Sequence, residues 1–204
     1  MEQKERYWDQ FLKIRTTGRD DSNSDQFHFP YEPTPYPVLE RLANSGYIRK
    51  KNSVIDYGCG KGRVDFYLSY QLRCKSFGIE YDERIFKTIM ENQKTAVSAD
   101  RTSFKNCAAE NYKVGEEADR FYFFNPFSTE IFERVLKNIE ESYYENPRQM
   151  LLFFYYPSDE YVGCLMNRDE LSFYDEIDCK DLFPGNDPRE RILVFEVYQN
   201  LQNR

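Results

Sequence analysis

The sequence predicts an α/β protein with a doubly wound, mostly parallel sheet and an antiparallel C-terminal strand pair. From residue 53 to residue 166, short continuous apolar runs alternate with segments of helical periodicity. Continuous apolar runs are typical of strands buried on both faces, which helices must cover. After residue 170, two further strand-like runs have turn residues between them instead of a helix.

The individual elements follow from periodicity and from the residues that interrupt it. An amphipathic helix is predicted over 5–15, where Trp8, Phe11 and Leu12 recur at helical spacing. Four prolines between residues 30 and 37 then predict an extended strap before a helix over 38–44. Strands are predicted over 54–57, 76–79, 103–106, 120–124 and 150–156, with helices over 63–71, 83–93, 129–142 and 159–166 between them.

The C-terminal part departs from this alternation. "LSFYDEIDC" and "ERILVFEVY" both have strand patterns, and "FPGNDPR" between them is typical of a turn. Strands joined without a helix are expected to pair antiparallel. At 204 residues the chain is long enough for one substantial core. We expect a single domain over 1–204, with an N-terminal helix and a proline-rich strap or lid over 1–52 and the sheet core over 53–204.

Composition narrows the class of protein. The net charge of −7 argues against binding to extended nucleic acid, because an acidic surface repels phosphate. No apolar run reaches the roughly 18 residues of a membrane span, and the charged first residues lack the apolar region of a secretory signal. Five widely spaced cysteines and one histidine predict neither a disulfide framework nor a metal site. We therefore expect a cytoplasmic protein with free thiols.

One short stretch, "VIDYGCGKGRV" over 54–64, breaks an apolar run with three glycines. Glycine at alternate positions weakens a strand or helix, so this stretch predicts a bend between the first strand and the following helix. In open α/β sheets, ligands bind at the carboxyl ends of strands, where helix N-termini offer unpaired N–H donors. The glycines would let a nucleotide-like ligand approach the backbone closely.

The glycine spacing discriminates between cofactors. A dinucleotide site expects G-x-G-x-x-G, whereas residues 56–62 read D-x-G-x-G-x-G. This motif resembles the first motif of class I S-adenosylmethionine-dependent methyltransferases, and the resemblance extends over about residues 54–156. It implies a Rossmann-like methyltransferase sandwich with S-adenosyl-L-methionine as the cofactor. The cofactor-binding residues that it implies in this motif are Asp56, Tyr57, Gly58, Cys59, Gly60 and Gly62.

Further cofactor contacts are expected at the ends of the next strands. Glu80 ends the second predicted strand, where an acid can accept hydrogen bonds from both ribose hydroxyls in either an adenosyl or an NAD site. The resemblance assigns the adenosine ribose to Glu80, and Tyr81 follows it. After the third strand, the Ala109 N–H and the Glu110 side chain are candidates for the adenine, although Ala108 replaces the acid that is common in the family.

The segment "FYFFNPFS" over 121–128 ends the fourth predicted strand. It retains part of the Asx-Pro-Pro-aromatic pattern of amino-group methyltransferases, which makes Asn125, Pro126 and Phe127 the catalytic candidates and Asn125 also a cofactor contact. The second proline of that pattern is absent. Asn125 can equally cap the next helix or shape a turn.

The strap adds candidates for contact with cofactor or substrate, because proline-fixed backbone loses little entropy on closing over a ligand. These are Tyr31 and Thr34, with His28 as a candidate proton acceptor. Aromatic faces could also stabilise a sulfonium charge. The candidates for that role are Tyr31, Tyr36, Tyr57, Phe124 and Phe127.

Together these features predict a methyltransferase that uses S-adenosyl-L-methionine and no metal. The acceptor is expected to be a small molecule or an amino group, with a protein side chain and a nucleobase both open. One alternative is a regulatory module that binds an adenosyl ligand without catalysis. A second, an NAD-dependent oxidoreductase, is disfavoured by the glycine spacing.

Overall fold

Seven strands form one sheet within residues 2–20 and 31–198, which are the residues that the computed structural model describes. The strands are β1 (Ser53–Tyr57), β2 (Lys75–Glu80), β3 (Thr102–Asn106), β4 (Arg120–Phe123), β5 (Met150–Tyr155), β6 (Leu171–Asp178) and β7 (Arg191–Val197). Their order is β3-β2-β1-β4-β5-β7-β6. The first five strands are parallel, and β7 is antiparallel to both neighbours. The predicted fold class is confirmed.

The predicted strands do not indicate that β7 lies between β5 and β6. The side chains of β7 are buried along most of the strand, whereas β6 is exposed or half-buried along most of its length and carries acidic residues. An interior strand needs apolar side chains on both faces, and an edge strand tolerates charge. The last strand along the chain therefore occupies an interior position, and β6 forms the edge.

The described residues form six α-helices around this sheet: α1 (Glu2–Leu12), α2 (Tyr36–Asn44), α3 (Arg63–Leu72), α4 (Glu83–Thr95), α5 (Thr129–Glu145) and α6 (Asp159–Met166). The prediction of α1 over 5–15 is wrong at its C-terminal end, because Lys13 adopts a left-handed φ of 59° that stops the helix. α2 begins two residues earlier than predicted, since a proline in the first turn loses no helical hydrogen bond. Within the described part of the chain, no helix has the length and apolar character needed to cross a membrane.

The two faces of the sheet bury two separate apolar cores. Along β5, Leu152 and Phe154 point to the core that α5 and α6 cover. Phe153 and Tyr155 alternate with them and point to the core that α1, α2 and α3 cover. This alternation is the two-residue period of a strand, and it explains why β5 reads as a continuous aromatic run.

A buried arginine joins the N-terminal segment to the core. Arg63 is the first residue of α3 and is 2% exposed. Its Nε donates to the Thr16 hydroxyl at 2.7 Å, and its Nη1 donates to the Thr34 carbonyl at 3.1 Å and to the Glu5 carboxylate. The guanidinium also lies 4.3 Å from the ring centroid of Tyr36.

Asp9 is the anionic counterpart of this arginine. Its carboxylate accepts hydrogen bonds from the Thr16 N–H at 2.7 Å, the Thr17 N–H at 3.2 Å and the Tyr36 hydroxyl at 2.6 Å, and it lies 3.7 Å from Arg63. A buried charge is tolerated when it is paired and fully hydrogen-bonded. These bonds hold α1, the segment after it and the strap against the start of α3, beside the glycine stretch.

Replacing this arginine should cost far more stability than breaking an exposed ion pair between α1 and α2. Arg63→Met leaves two largely buried carboxylates, those of Glu5 and Asp9, without their cation, which is expected to lower the free energy of unfolding by about 3 to 5 kcal/mol. Lys4→Met breaks the exposed pair with Glu40 and should cost less than about 1 kcal/mol. Urea unfolding measures both, and equally small losses would contradict the structural role of Arg63.

Candidate functional site

A cavity of about 920 Å³, including the space open to solvent, lies at the carboxyl ends of β1, β2 and β4. The strand order reverses between β1 and β4, which is where open α/β sheets bind their ligands. Thirteen of the residues singled out in the sequence line it. They are Tyr31, Thr34, Asp56, Gly58, Cys59, Gly60, Glu80, Tyr81, Ala109, Glu110, Phe124, Pro126 and Phe127.

The glycine loop, residues 58–62, forms one wall of this cavity. Gly58, Gly60 and Gly62 all have left-handed φ values, of 73°, 55° and 81°. A Cβ on Gly58 would lie 2.4 Å from the Pro126 Cβ, and one on Gly60 would lie 2.1 Å from the Tyr31 ring. The missing side chains therefore admit two neighbouring segments of the protein, in addition to leaving the backbone accessible to a ligand.

Glu80 fastens this loop from the end of β2. Its Oε2 accepts the Gly60 N–H at 3.0 Å and its Oε1 accepts the Asp82 N–H at 2.9 Å, and the residue is 5% exposed. Burial raises the pKa of Glu80 to about 7, although these two N–H donors oppose the rise. Each carboxylate oxygen retains a second lone pair that can accept a further hydrogen bond from the cavity.

The cavity lining is strongly acidic. Six carboxyl side chains contribute to it, and its described lining contains no lysine, arginine or histidine. Low-dielectric walls lined with one sign of charge concentrate ligands of the opposite sign. The site therefore favours a ligand that carries positive charge. The six residues are Asp20, Glu32, Asp56, Glu80, Asp82 and Glu110.

Asp56, on the cavity wall, is paired with a second buried acid. Its carboxyl group is hydrogen-bonded to that of Asp65, which lies in the first turn of α3 and also accepts the Ser76 hydroxyl at 2.6 Å. Burial and the neighbouring Asp65 carboxyl raise the pKa of Asp56 well above its usual range. Burial raises the pKa of Asp65 to about 7.

The strap contributes Tyr31 and Thr34 to the opposite wall. The Tyr31 hydroxyl donates to the Thr16 carbonyl at 2.5 Å, and its ring lies across Gly60 with the Lys61 ammonium 4.7 Å from its centroid. The Thr34 hydroxyl is 2.9 Å from that of Tyr122 on β4. Both side chains are therefore fixed by bonds within the protein, and the Tyr31 ring covers Gly60.

Three of the predicted site residues do not line the cavity. The Asn125 amide bridges to the loop after β5, donating to the Tyr156 carbonyl at 2.6 Å and accepting the Ser158 N–H at 3.3 Å. With its left-handed φ of 39°, Asn125 has the geometry of a turn residue. Tyr57 is buried away from the cavity and stacks on Phe123, 5.2 Å between centroids. Gly62, the last residue of the loop, is not part of the cavity lining and lies against Phe66 and Phe104.

One further candidate lies elsewhere, and another cannot be placed. Tyr36 stacks under Arg63 and bonds to Asp9, so it contributes to the anchor of the strap instead of the cavity. His28 falls outside the described residues. Phe124, by contrast, lines the cavity next to Pro126.

Sequence reasoning missed several lining residues on two segments. Asp82 follows the second strand and caps α4 by accepting the Arg84 N–H. An aspartate two residues after Glu80, directly before a predicted helix, is the sequence signal that could have identified it as a helix N-cap. Tyr122 lies inside an apolar run, where nothing in the sequence marks its hydroxyl as turned toward the cavity. Within the described residues, no three His, Cys, Asp or Glu side chains are grouped to hold a metal ion.

Comparison with known proteins agrees with this arrangement. No protein-family model matches the sequence. Over 73 residues the chain is 33% identical to a protein-lysine N-methyltransferase of Saccharolobus islandicus (strain REY15A). That match spans 35% of this chain and 45% of the relative, which is less than half of the relative's length.

Solved structures extend the likeness to most of the chain. An RNA methyltransferase from Salinibacter ruber, in complex with S-adenosyl-L-homocysteine, has a TM-score of 0.57 and 18% identity over 85% of this chain and 98% of its own. Precorrin-6y C5,15-methyltransferase from Geobacter metallireducens GS-15 has a TM-score of 0.55 and 12% identity over 80% and 86%. The chain therefore has the Rossmann-like fold of class I methyltransferases, and the resemblance that the D-x-G-x-G-x-G motif indicates is confirmed.

The contact between Tyr31 and the glycine loop can be measured by comparing two left-handed glycines. Gly60→Ala and Gly46→Ala both incur the conformational cost of a side chain at positive φ, about 1 to 2 kcal/mol. Only Gly60→Ala also displaces the Tyr31 ring, because the surroundings of Gly46 are open. Thermal or urea unfolding should show the larger loss for Gly60→Ala.

A double variant isolates the steric part of that loss. In a Tyr31→Ala background, the extra cost of Gly60→Ala over Gly46→Ala should shrink, because the ring that it would strike is gone. An unchanged difference would show that Tyr31 does not lie against the loop in solution.

Proposed function

We propose that the chain is an S-adenosyl-L-methionine-dependent methyltransferase that transfers a methyl group to an amino group. The observation that carries this proposal is one acidic cavity at the switch point of the sheet that combines the close-approach loop of Gly58 and Gly60 with the buried carboxylate of Glu80. The class I methyltransferase fold supports it.

The residues present fit an adenosyl group. Glu80 has spare lone pairs for two ribose hydroxyls, and Gly58, Cys59 and Gly60 of the loop line the cavity beside it. Ala109 and Glu110, after β3, lie on the side of the cavity where an adenine ring would extend. Asp56, at the end of β1, would face the methionine part of the ligand, whose ammonium group its carboxyl can pair with.

The bound cofactor would supply a methyl group already activated by the sulfonium charge. The protein then has to place the acceptor in line with it. Phe124, Pro126 and Phe127 line the cavity after β4 and are proposed to form the acceptor subsite, with Phe127 fixed by the bond that its carbonyl accepts from Tyr161 at 2.7 Å. Asn125 holds the turn that presents them, through its bonds to the loop after β5.

An amino acceptor fits the charge of the site. The carboxylates that line the cavity attract a cationic amine, and the open mouth lets it lose its surplus proton to water before attack. The relative of matching sequence is named as a protein-lysine N-methyltransferase. A lysine side chain is therefore the amino acceptor that we propose to test first.

The N-terminal segment completes the site in this proposal. Residues 1–52 form one domain with the core over 53–204, and Tyr31 and Thr34 of the strap close the cavity as a lid. The buried network of Arg63 and Asp9 supports this, because it fixes the strap to α3 beside the glycine loop.

Loss of the carboxylate at residue 80 should weaken adenosyl binding. Glu80→Ala removes the two proposed ribose hydrogen bonds and is expected to lower affinity for S-adenosylmethionine by about 1 to 3 kcal/mol, measured by calorimetry. Glu83→Ala, at an exposed position on α4, is the matched control and should leave affinity unchanged. Equal affinities for both variants would show that Glu80 serves the loop alone.

The function itself is tested by ligand selection followed by transfer. The protein should bind S-adenosylmethionine and S-adenosylhomocysteine and not NAD. It should then transfer a labelled methyl group to lysine in a cell extract, identified by amino-acid analysis of the labelled protein. Binding without transfer to any acceptor would favour a non-catalytic adenosyl-binding module, and selective NAD binding would overturn the assignment.

A further inference from the structure

The buried acid pair beside the cavity has an unusual arrangement of hydrogen-bond donors. Asp56 and Asp65 are both at most 3% exposed, and the Oδ2 atom of each finds no N–H or O–H donor among the described residues. The two carboxyl groups nevertheless lie within hydrogen-bonding distance of each other. Two carboxylates cannot bond to each other, so one proton must lie between them.

No neighbouring group in the described part of the chain supplies a positive charge that could replace this shared proton. From β2, Ser76 donates to Asp65 and the Glu80 carboxyl lies near Asp56. From the loop and the end of α3 come the thiols of Cys59 and Cys74, and from β4 the phenol of Tyr122. None of these groups is a cation, and every one that can ionise becomes negative. The pair therefore keeps a proton as long as no positive charge is near it.

A cationic ligand in the cavity would change this balance. Asp56 is part of the cavity wall, so a positive charge there favours the fully ionised pair, whereas Asp65 lies behind Asp56 and is not part of the cavity lining. We propose that the Asp56–Asp65 pair is a proton-linked sensor of ligand charge, which releases its shared proton when a cationic adenosyl ligand enters. This inference rests on the proposed function, because it takes the adenosyl sulfonium and its ammonium group as the cation.

The sign of the pH dependence follows from the released proton. If binding releases protons, the bound state holds fewer of them than the free state, and affinity rises with pH. The rise approaches about tenfold per pH unit where one full proton is released. The pKa of Asp65 is raised to about 7, which places this range at or above neutral pH, and the rise in affinity stops once the free pair is already ionised.

Calorimetry with two adenosyl ligands tests the sensor in the intact protein. S-adenosylmethionine and 5′-methylthioadenosine share the adenosyl group, but only the first carries sulfonium and ammonium charges. Titrations in buffers of different ionisation enthalpy give the number of protons released by each. We expect S-adenosylmethionine to release more protons near pH 7 than 5′-methylthioadenosine does. Protons that both ligands release alike are assigned to Glu80, which would face the ribose in either complex.

Two variants separate the pair from its surroundings. Asp65→Asn keeps a partner for Asp56 and for Ser76 but removes one titrating carboxyl, so the difference between the two ligands should vanish. Ser76→Ala removes a donor that stabilises ionised Asp65, so the pH range of the difference should move upward.

The wild-type comparison decides the inference even where a variant does not fold. Equal proton counts for the two ligands in the wild-type protein would overturn the sensor while leaving the proposed cofactor intact. A difference that persists unchanged in folded Asp65→Asn would also overturn it. Failure of both ligands to bind would overturn the proposed function together with the sensor.

Discussion

The contact on which the site depends most is the buried ion pair network between Arg63 and the N-terminal segment. Arg63 begins α3 directly after the glycine loop, and its planar group binds Glu5, Thr16 and the Thr34 carbonyl at once. The rigid, planar set of N–H donors of an arginine suits several acceptors at once better than the single ammonium of a lysine. Because Asp9 neutralises it from the other side, the strap is held where Tyr31 can cover Gly60. The cavity thus has a wall that the sheet alone would not supply.

A second constraint acts inside the glycine loop. Gly58 and Gly60 each make room for another part of the protein, Pro126 after β4 and Tyr31 from the strap. Glu80 then fixes the loop from β2 through the Gly60 N–H. Three segments that are distant in sequence meet at two residues without side chains. The cavity is therefore shaped by the absence of Cβ atoms as much as by the side chains that line it.

The sequence carried much of this information in local patterns. Strand and helix positions, the bend at Gly58 and the acid at Glu80 follow from periodicity and from glycine spacing, which depend on near neighbours. The place of β7 inside the sheet and the role of Arg63 do not follow from such local patterns. An arginine after the motif looks like a solvated charge until the chain folds α1 onto it, and its partners Glu5 and Thr34 are far away in sequence. Asn125 is the opposite case, because the sequence motif predicts a catalytic role while its side chain bonds to the loop after β5.

The order of the last two strands has a consequence for how the sheet is assembled. Among the described strands, β6 pairs only with β7, which lies between it and β5. During synthesis, the completed β6 must therefore wait until residues 191–197 have been made before it can pair. Until then, the edge of β5 is open and could accept a foreign strand. The acidic side chains of β6, including Asp175, Glu176 and Asp178, give that waiting strand a charge that discourages such pairing between chains.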